Sequence, residues 1–341
     1  MALIHGGRLT EASRRYGIAP GDWLDLSTGI APWSYPVPEV PIHVWARLPE
    51  ADDGLSAAAA EYYGVAAANI TALPGSQFAI RELPWAVAAP SGPARVGVPA
   101  VGYAEHARAW AAAGHAVVAY DDLAQLLALV DTLDHAVVIS PNNPTGEQAA
   151  IDTLIVLADK LARRDGLLLV DAAFADCHGE LAMDGLPANT IVLRSLGKFF
   201  GLAGLRLGFM MGRGPAIAAV GAQLQPWGVS HPARWIGRRA LLDLDWQAEQ
   251  QRRIADGAHS LTTLLDAYFS RQRIVTMGLF VTVFFDDAEQ ATAVHEALAD
   301  QAVLTRLGDN RRWLRFGLPG DAPAATRLVT ALDVVVEQGR C

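Results

Sequence analysis

The sequence predicts an α/β fold, in which a large domain with a mostly parallel sheet covered by helices is followed by a smaller C-terminal α+β domain. Three observations predict it. Short β-branched or apolar runs recur between residues 95 and 211. Between several of them lie stretches whose apolar residues repeat at helical spacing. Beyond about Trp246 this alternation gives way to one long helical run and a few strands. Strands separated by helices are what a parallel sheet needs, because each crossover has to carry the chain back to the same end. At 341 residues the chain is long enough for both domains.

Residues 1–53 read as an N-terminal arm and small-domain segment. Pro, Gly and Trp are frequent there, and "STGIAPWSYPVPEVP", from Ser27 to Pro41, is extended and turn-filled. The large domain, 54–246, opens with "GLSAAAAEYYG", which has helical composition and a glycine stop. Strands are expected at Arg95 to Val98, Ala116 to Ala119, Ala136 to Ile139, Leu167 to Val170, Ile191 to Leu193 and Leu207 to Met211, with a helix from Ile151 to Arg164. The last domain, 247–341, begins with a helical run to Ser270 and continues through "RIVTMGLFVTVFF". A helix, the strands "AVLTR" and "RRWLRFG", and a terminal helix from Ala322 to Glu337 complete it.

Composition excludes several classes of function. Hydrophobic residues make up 52% and charged residues 18%, as in an ordinary packed protein. Lys and Arg number 27 against 36 Asp and Glu, giving a net charge of -9, which argues against a nucleic-acid partner. Cys177 and Cys341 form neither a metal-ligand spacing nor a disulfide framework, so no metal site is expected and a reducing compartment is. The N-terminus lacks the apolar core of a signal peptide and no apolar run is long enough to cross a bilayer. A cytoplasmic protein without a membrane partner is expected.

Ligands of open α/β sheets bind at the carboxyl ends of the strands. There the sequence places "SPNNPTG" after Ile139, "DAAF" after Val170, and "RSLGK" after Leu193, with Arg206 shortly beyond. Each is a weak motif alone, but Asn143, Asp171, Lys198 and Arg206 follow one another at spacings of 28, 27 and 8 residues. That constellation resembles the fold-type I pyridoxal-phosphate enzymes of the class I and II aminotransferase superfamily. The resemblance implies that Lys198, one of only two lysines, carries pyridoxal 5'-phosphate as a Schiff base. A lysine beside cationic partners and partly desolvated is easier to deprotonate for that chemistry.

The other cofactor roles follow from the same resemblance. Asp171 would face the pyridine nitrogen and keep the ring an electron sink, and with Lys198 it forms the catalytic pair. Asn143 would donate to the phenolic oxygen, while the tyrosine often found three residues after the Asp is Phe174 here. Ser76 and Gln77 of "PGSQ" precede a helix-like stretch, so their amides suit the cofactor phosphate, together with Ser195 and Arg206. Tyr103, in "GYAEHARAW", would stack on the ring. Arg315, in "WLRFGLP", would grip the substrate carboxylate bidentately.

Within the superfamily, "HGG" (His5 to Gly7), "LDLSTGIAP" (Leu24 to Pro32), "LRSLGKF", "GLRLGF" and "QPWGVS" resemble the threonine-phosphate decarboxylases of cobalamin biosynthesis, from His5 to the last helix. The resemblance implies a small-molecule amino acid phosphate as substrate: L-threonine O-3-phosphate loses CO2 to give 1-amino-2-propanol O-2-phosphate. It also implies a homodimer. His5 and the backbone amides of Gly6 and Gly7 are the expected ligands of the substrate phosphate. The chain departs from the family pattern at Ala31, Leu48, Ala172, Phe174 and Gly197. Histidinol-phosphate aminotransferases share nearly all the cofactor residues and are the alternative. A pyridoxal-phosphate-binding regulatory domain would need a basic helix-turn-helix segment, which nothing before Gly54 supplies. A nicotinamide enzyme would need a G-x-G-x-x-G after its first strand, and there is none.

Overall fold

A computed structural model describes residues 6–87, 93–178 and 185–340. The chain forms two compact units, one of residues 1–34 with 248–341 and one of residues 35–247. Residues 35–53, grouped with the arm on sequence, belong to the larger unit. Tyr35 N–H donates to the Phe200 carbonyl at 2.9 Å, and the Asp53 carboxylate takes both Nε and Nη2 of Arg234 at 2.5 and 2.8 Å.

The strands in chain order are β1 (Leu24–Asp25), β2 (Ile70–Leu73), β3 (Arg95–Pro99), β4 (Ala116–Tyr120), β5 (His135–Ile139), β6 (Leu168–Asp171) and β7 (Thr190–Ser195). Then come β8 (Gly208–Met211), β9 (Arg273–Met277), β10 (Phe280–Phe284), β11 (Val303–Leu304), β12 (Arg306–Leu307) and β13 (Trp313–Gly317). The helices are α1 (Leu9–Tyr16), α2 (Ile42–Ala46), α3 (Leu55–Tyr63), α4 (Gln77–Ala86), α5 (Glu105–Ala112) and α6 (Leu123–Leu129). They continue with α7 (Ile151–Ala162), α8 (Pro215–Ala222), α9 (His231–Leu242), α10 (Leu244–Tyr268), α11 (Ala288–Asp300) and α12 (Ala322–Glu337).

The larger unit holds a seven-stranded sheet of order β2-β8-β7-β6-β5-β3-β4. Its members from β7 to β4 are parallel to one another, whereas β8 runs antiparallel to both β7 and β2. Every residue of β5 and β6 is buried, which is why unbroken apolar runs rather than alternation announce these strands. One face of the sheet packs Leu73, Val96, Val137, Leu169, Leu193 and Met210 against Ile80 and Leu83 of α4 and Trp110 of α5. Each such side chain contributes about 1.5–3 kcal/mol on burial. β2 was not expected. It is a short edge strand that ends directly in a turn at Gly75 (φ +80°).

The smaller unit holds a four-stranded antiparallel sheet, β12-β13-β10-β9, and the two-stranded parallel pair β1-β11. The run expected as one strand, "AVLTR", is divided: Val303 and Leu304 pair with β1, while Arg306 and Leu307 pair with β13. α12 begins where expected because Asp321 caps it, accepting from Ala324 N–H at 2.8 Å. Trp23, Ala12 and Leu304 form a small core with Leu9, Tyr16 and Ile18, which seats α1.

Candidate active site

The reversal of β8 gathers three chain segments at one edge of the large sheet. Gly208, the first residue of β8, faces Ser195 of β7 on one side and Leu73 of β2 on the other. Beyond Leu73 the chain turns at Gly75 and enters α4, whose first-turn N–H groups have no acceptor within the helix. A β-carbon at Gly208 would lie 2.6 Å from Ser76 N, and one at Gly75 would lie 2.7 Å from Arg206 Nη2. Both glycines therefore let donors close on a common space.

Arg206 holds a left-handed backbone (φ +53°), uncommon for a residue with a side chain, and its Nη1 donates to the Ala203 carbonyl at 3.2 Å. Ser195 Oγ accepts from Gly197 N–H at 3.2 Å, which leaves its own proton free to donate. A β-carbon at Gly197 would come within 3.1 Å of Ala203 Cα, so the departure to glycine accompanies this tight turn. A helix N-terminus, a hydroxyl and a guanidinium make a donor set that fits a phosphate.

Next along the sheet is Asp171, the last residue of β6, with its side chain 6% exposed. One carboxylate oxygen accepts from Ala173 N–H at 3.1 Å, and the other lies 2.9 Å from Nε2 of His106, which is fully buried on α5. Nδ1 of His106 meets no hydrogen-bond partner among the described residues. The tautomer that satisfies most groups thus carries its proton on Nε2, aimed at Asp171.

Tyr103 stands edge-on to His106, centroids 6.1 Å apart. Burial, reinforced by Glu105 and Asp171, pushes its phenol up to about 12, so it is a neutral donor. It donates to Gln77 Oε1 at 2.9 Å, and Gln77 Nε2 donates to Glu105 at 3.3 Å. Asn142, buried, is committed to the Val101 carbonyl at 2.9 Å, whereas its neighbour Asn143 is half-buried beside the cis Asn143–Pro144 bond.

Lys198 lies in the turn after β7. Phe199 and Phe200 on its far side are fully buried, and Phe200 stacks on Trp246 at 5.6 Å and 15°. The two rings anchor the turn and leave Lys198 half-buried. Its Nζ sits 5.3 Å from the centre of the Phe174 ring, where relatives often carry a tyrosine. Burial pushes the nearby Cys177 thiol up, so at neutral pH it is uncharged and takes no proton from the lysine.

In the smaller unit Arg315 of β13 is buried, and Nη2 donates to the Ser27 carbonyl at 2.7 Å. Burial, with Arg306 nearby, brings Arg315 down to about 9, and it remains a cation at neutral pH. Gly6 and Gly7 also lie against Ser27, but Gly7 N–H donates to Ser27 Oγ at 2.8 Å. This corrects the expectation that the Gly7 amide is a phosphate ligand, because it already has a partner within the protein. His5 lies outside the described residues. His106, Glu105 and Ser27 were missed: a single His or Glu in an Ala-rich helix, or a Ser in an arm, has no spacing signature.

Eight of the predicted positions and His106 thus lie in the larger unit, among them a lysine, a strand-end aspartate and a donor set that fits a phosphate. The family "Aminotransferase class I and II" matches residues 45–332. Threonine-phosphate decarboxylases of Pseudomonas aeruginosa and of a Sinorhizobium species are 44% and 41% identical, each over 97% of this chain and 97% of the relative. The histidinol-phosphate aminotransferase of Sinorhizobium meliloti, solved in complex with pyridoxal-5'-phosphate, superposes with a TM-score of 0.83 at 21% identity, over 99% of this chain and 96% of that one. The chain belongs to the class I and II aminotransferase family and, within it, to the threonine-phosphate decarboxylases.

Proposed function

We propose that this chain decarboxylates L-threonine O-3-phosphate to (R)-1-amino-2-propanol O-2-phosphate, the linker used in assembling the cobalamin nucleotide loop. The full-length likeness to two threonine-phosphate decarboxylases carries this reading. The donor set fits pyridoxal 5'-phosphate, with Lys198 holding its aldehyde end and Ser76, Gln77, Ser195 and Arg206 its phosphate. When bound, that cofactor supplies an electron sink for the pair left at Cα.

The chain's own residues do the rest. With the cofactor bound, Asp171, aligned by His106, would hold the ring nitrogen, Asn143 would donate to the ring oxygen, and Tyr103, held by Gln77, would pack on the ring. Arg315 would fix the substrate carboxylate. His5 and the arm that carries it take the substrate phosphate. As the bond breaks, CO2 leaves with the carboxylate oxygens, and Lys198 Nζ delivers the proton that Cα takes up.

Two copies form the working enzyme in this reading. Ile42, Trp45, Leu48 and Trp227 are 58–81% exposed, an apolar presence on the larger unit that a partner copy would cover. Cysteine usage favours the cytoplasm. The test is to supply pyridoxal 5'-phosphate and L-threonine O-3-phosphate without any 2-oxo acid. CO2 and aminopropanol phosphate in equal amounts are expected. No CO2, with a ketone formed from histidinol phosphate once 2-oxoglutarate is added, would replace this reading with an aminotransferase.

A further inference from the structure

We propose that Ser27 is a gauge for substrate length: it ties the carboxylate-binding Arg315 and the phosphate-binding arm to a single residue. The inference rests on the roles given above to Arg315 and the arm. Ser27 follows β1 and is 3% exposed. Its carbonyl oxygen accepts from Arg315 Nη2 at 2.7 Å. Its hydroxyl lies 2.6 Å from Asp25 Oδ1, the same oxygen that takes Ser27 N–H at 2.9 Å. A carboxylate only accepts, so the hydroxyl hydrogen is committed to Asp25 and the remaining lone pairs face outward. Gly7 N–H donates to them at 2.8 Å.

Gly6 closes the arrangement from the other side. A β-carbon there would lie 2.2 Å from the Ser27 carbonyl oxygen and 3.0 Å from its carbon. The arm backbone and the Arg315 guanidinium therefore rest on the same oxygen, and any side chain at position 6 would displace it. Gly7 is held at φ +78°, a backbone that leaves the arm one way to run. Two grips fixed to one buried residue cannot drift apart, so the carboxylate-to-phosphate distance they accept is narrow. The substrates admitted are α-amino acids with the phosphate on a β-oxygen; one methylene more would strain one grip.

The test compares L-threonine O-3-phosphate with O-phospho-L-homoserine, one methylene longer, using the holoenzyme. Wild type should favour the shorter substrate in kcat/KM by roughly tenfold to two-hundredfold, the range one methylene commands in a fitted site. Ser27→Ala removes the tie to Gly7 together with the hydroxyl's bond to Asp25, and keeps the carbonyl on which Arg315 rests. It should raise KM for L-threonine O-3-phosphate about tenfold with a change in kcat of at most about threefold, and reduce the length preference to within about threefold. Gly6→Ala should act in the same direction through the carbonyl, whereas Ser27→Thr, which keeps the hydroxyl, should retain the preference. The cofactor absorption band reports whether each variant is folded and loaded, and titrating that band with substrate gives the binding constant independently of turnover. Loaded Ser27→Ala and Gly6→Ala variants with wild-type KM and preference would overturn the gauge, as would a wild type indifferent to length. A wild type that releases no CO2 from either substrate would instead overturn the assigned reaction.

Discussion

His106 decides how well Asp171 can do its work. A buried carboxylate oxygen left without a donor is destabilised by about 1–3 kcal/mol, and hydrogen bonds to charged groups lie at the upper end of that range. His106→Ala should accordingly weaken cofactor retention by roughly tenfold to a hundredfold, measured by titrating the apoprotein with pyridoxal 5'-phosphate; His106→Asn, which can still donate, should recover part of the loss. His106 escaped the sequence because its partner is 65 positions away, whereas Lys198, Asp171 and Arg206 sit at spacings that match the pattern of a known family. Gly6 and Gly7 were legible as special but not in their role: the close approach to Ser27 is a contact between distant segments that no local pattern encodes.

At the level of elements, the end of β7 is braced by a buried ion pair. Arg194 donates to Asp176 at 3.3 Å, with both side chains at most 4% exposed, and its guanidinium lies 5.1 Å from the centre of the Tyr63 ring of α3. Burial pushes Asp176 up to about 6, against the opposing pull of Arg194 and of the Tyr62 hydroxyl. Between about pH 4 and about pH 6 the folded chain holds a proton that the unfolded chain has released. The contribution of Asp176 to stability therefore falls as pH rises through that window and is constant above it. Urea unfolding of wild type and Asp176→Asn should reveal it: the stability of wild type relative to the variant should decline from pH 4 to 6, and a flat difference would reject the assignment. The parallel strands were readable because burial on both faces makes them apolar throughout. β2 was not, since four residues beside a turn carry too little pattern, and "AVLTR" was read as one strand because only its partners, β1 and β13, divide it.

For the whole molecule, the net charge of -9 and the exposed Ile42, Trp45, Leu48 and Trp227 pull in opposite directions on association. Charge repulsion is screened within about 8 Å at physiological salt, so in the proposed dimer burial of the apolar side chains would outweigh it. Sedimentation should find a dimer, and the double variant Ile42→Glu, Trp45→Glu should sediment as a monomer; a monomeric wild type would remove the pairing from the proposal. The existence of two units was legible in the change of rhythm near Trp246, but the place of residues 35–53 was not, because it is set by Tyr35 and Asp53 reaching Phe200 and Arg234 far along the chain. The reversed strand β8 carries a last consequence, for the order of folding. Leu73, Ser195 and Gly208 come together only when the longest loop of the sheet has closed, and such closures are slow. The phosphate cup is thus absent from any nascent chain that ends before Gly208, and a ligand of the cup can add stability only to a chain that has closed it.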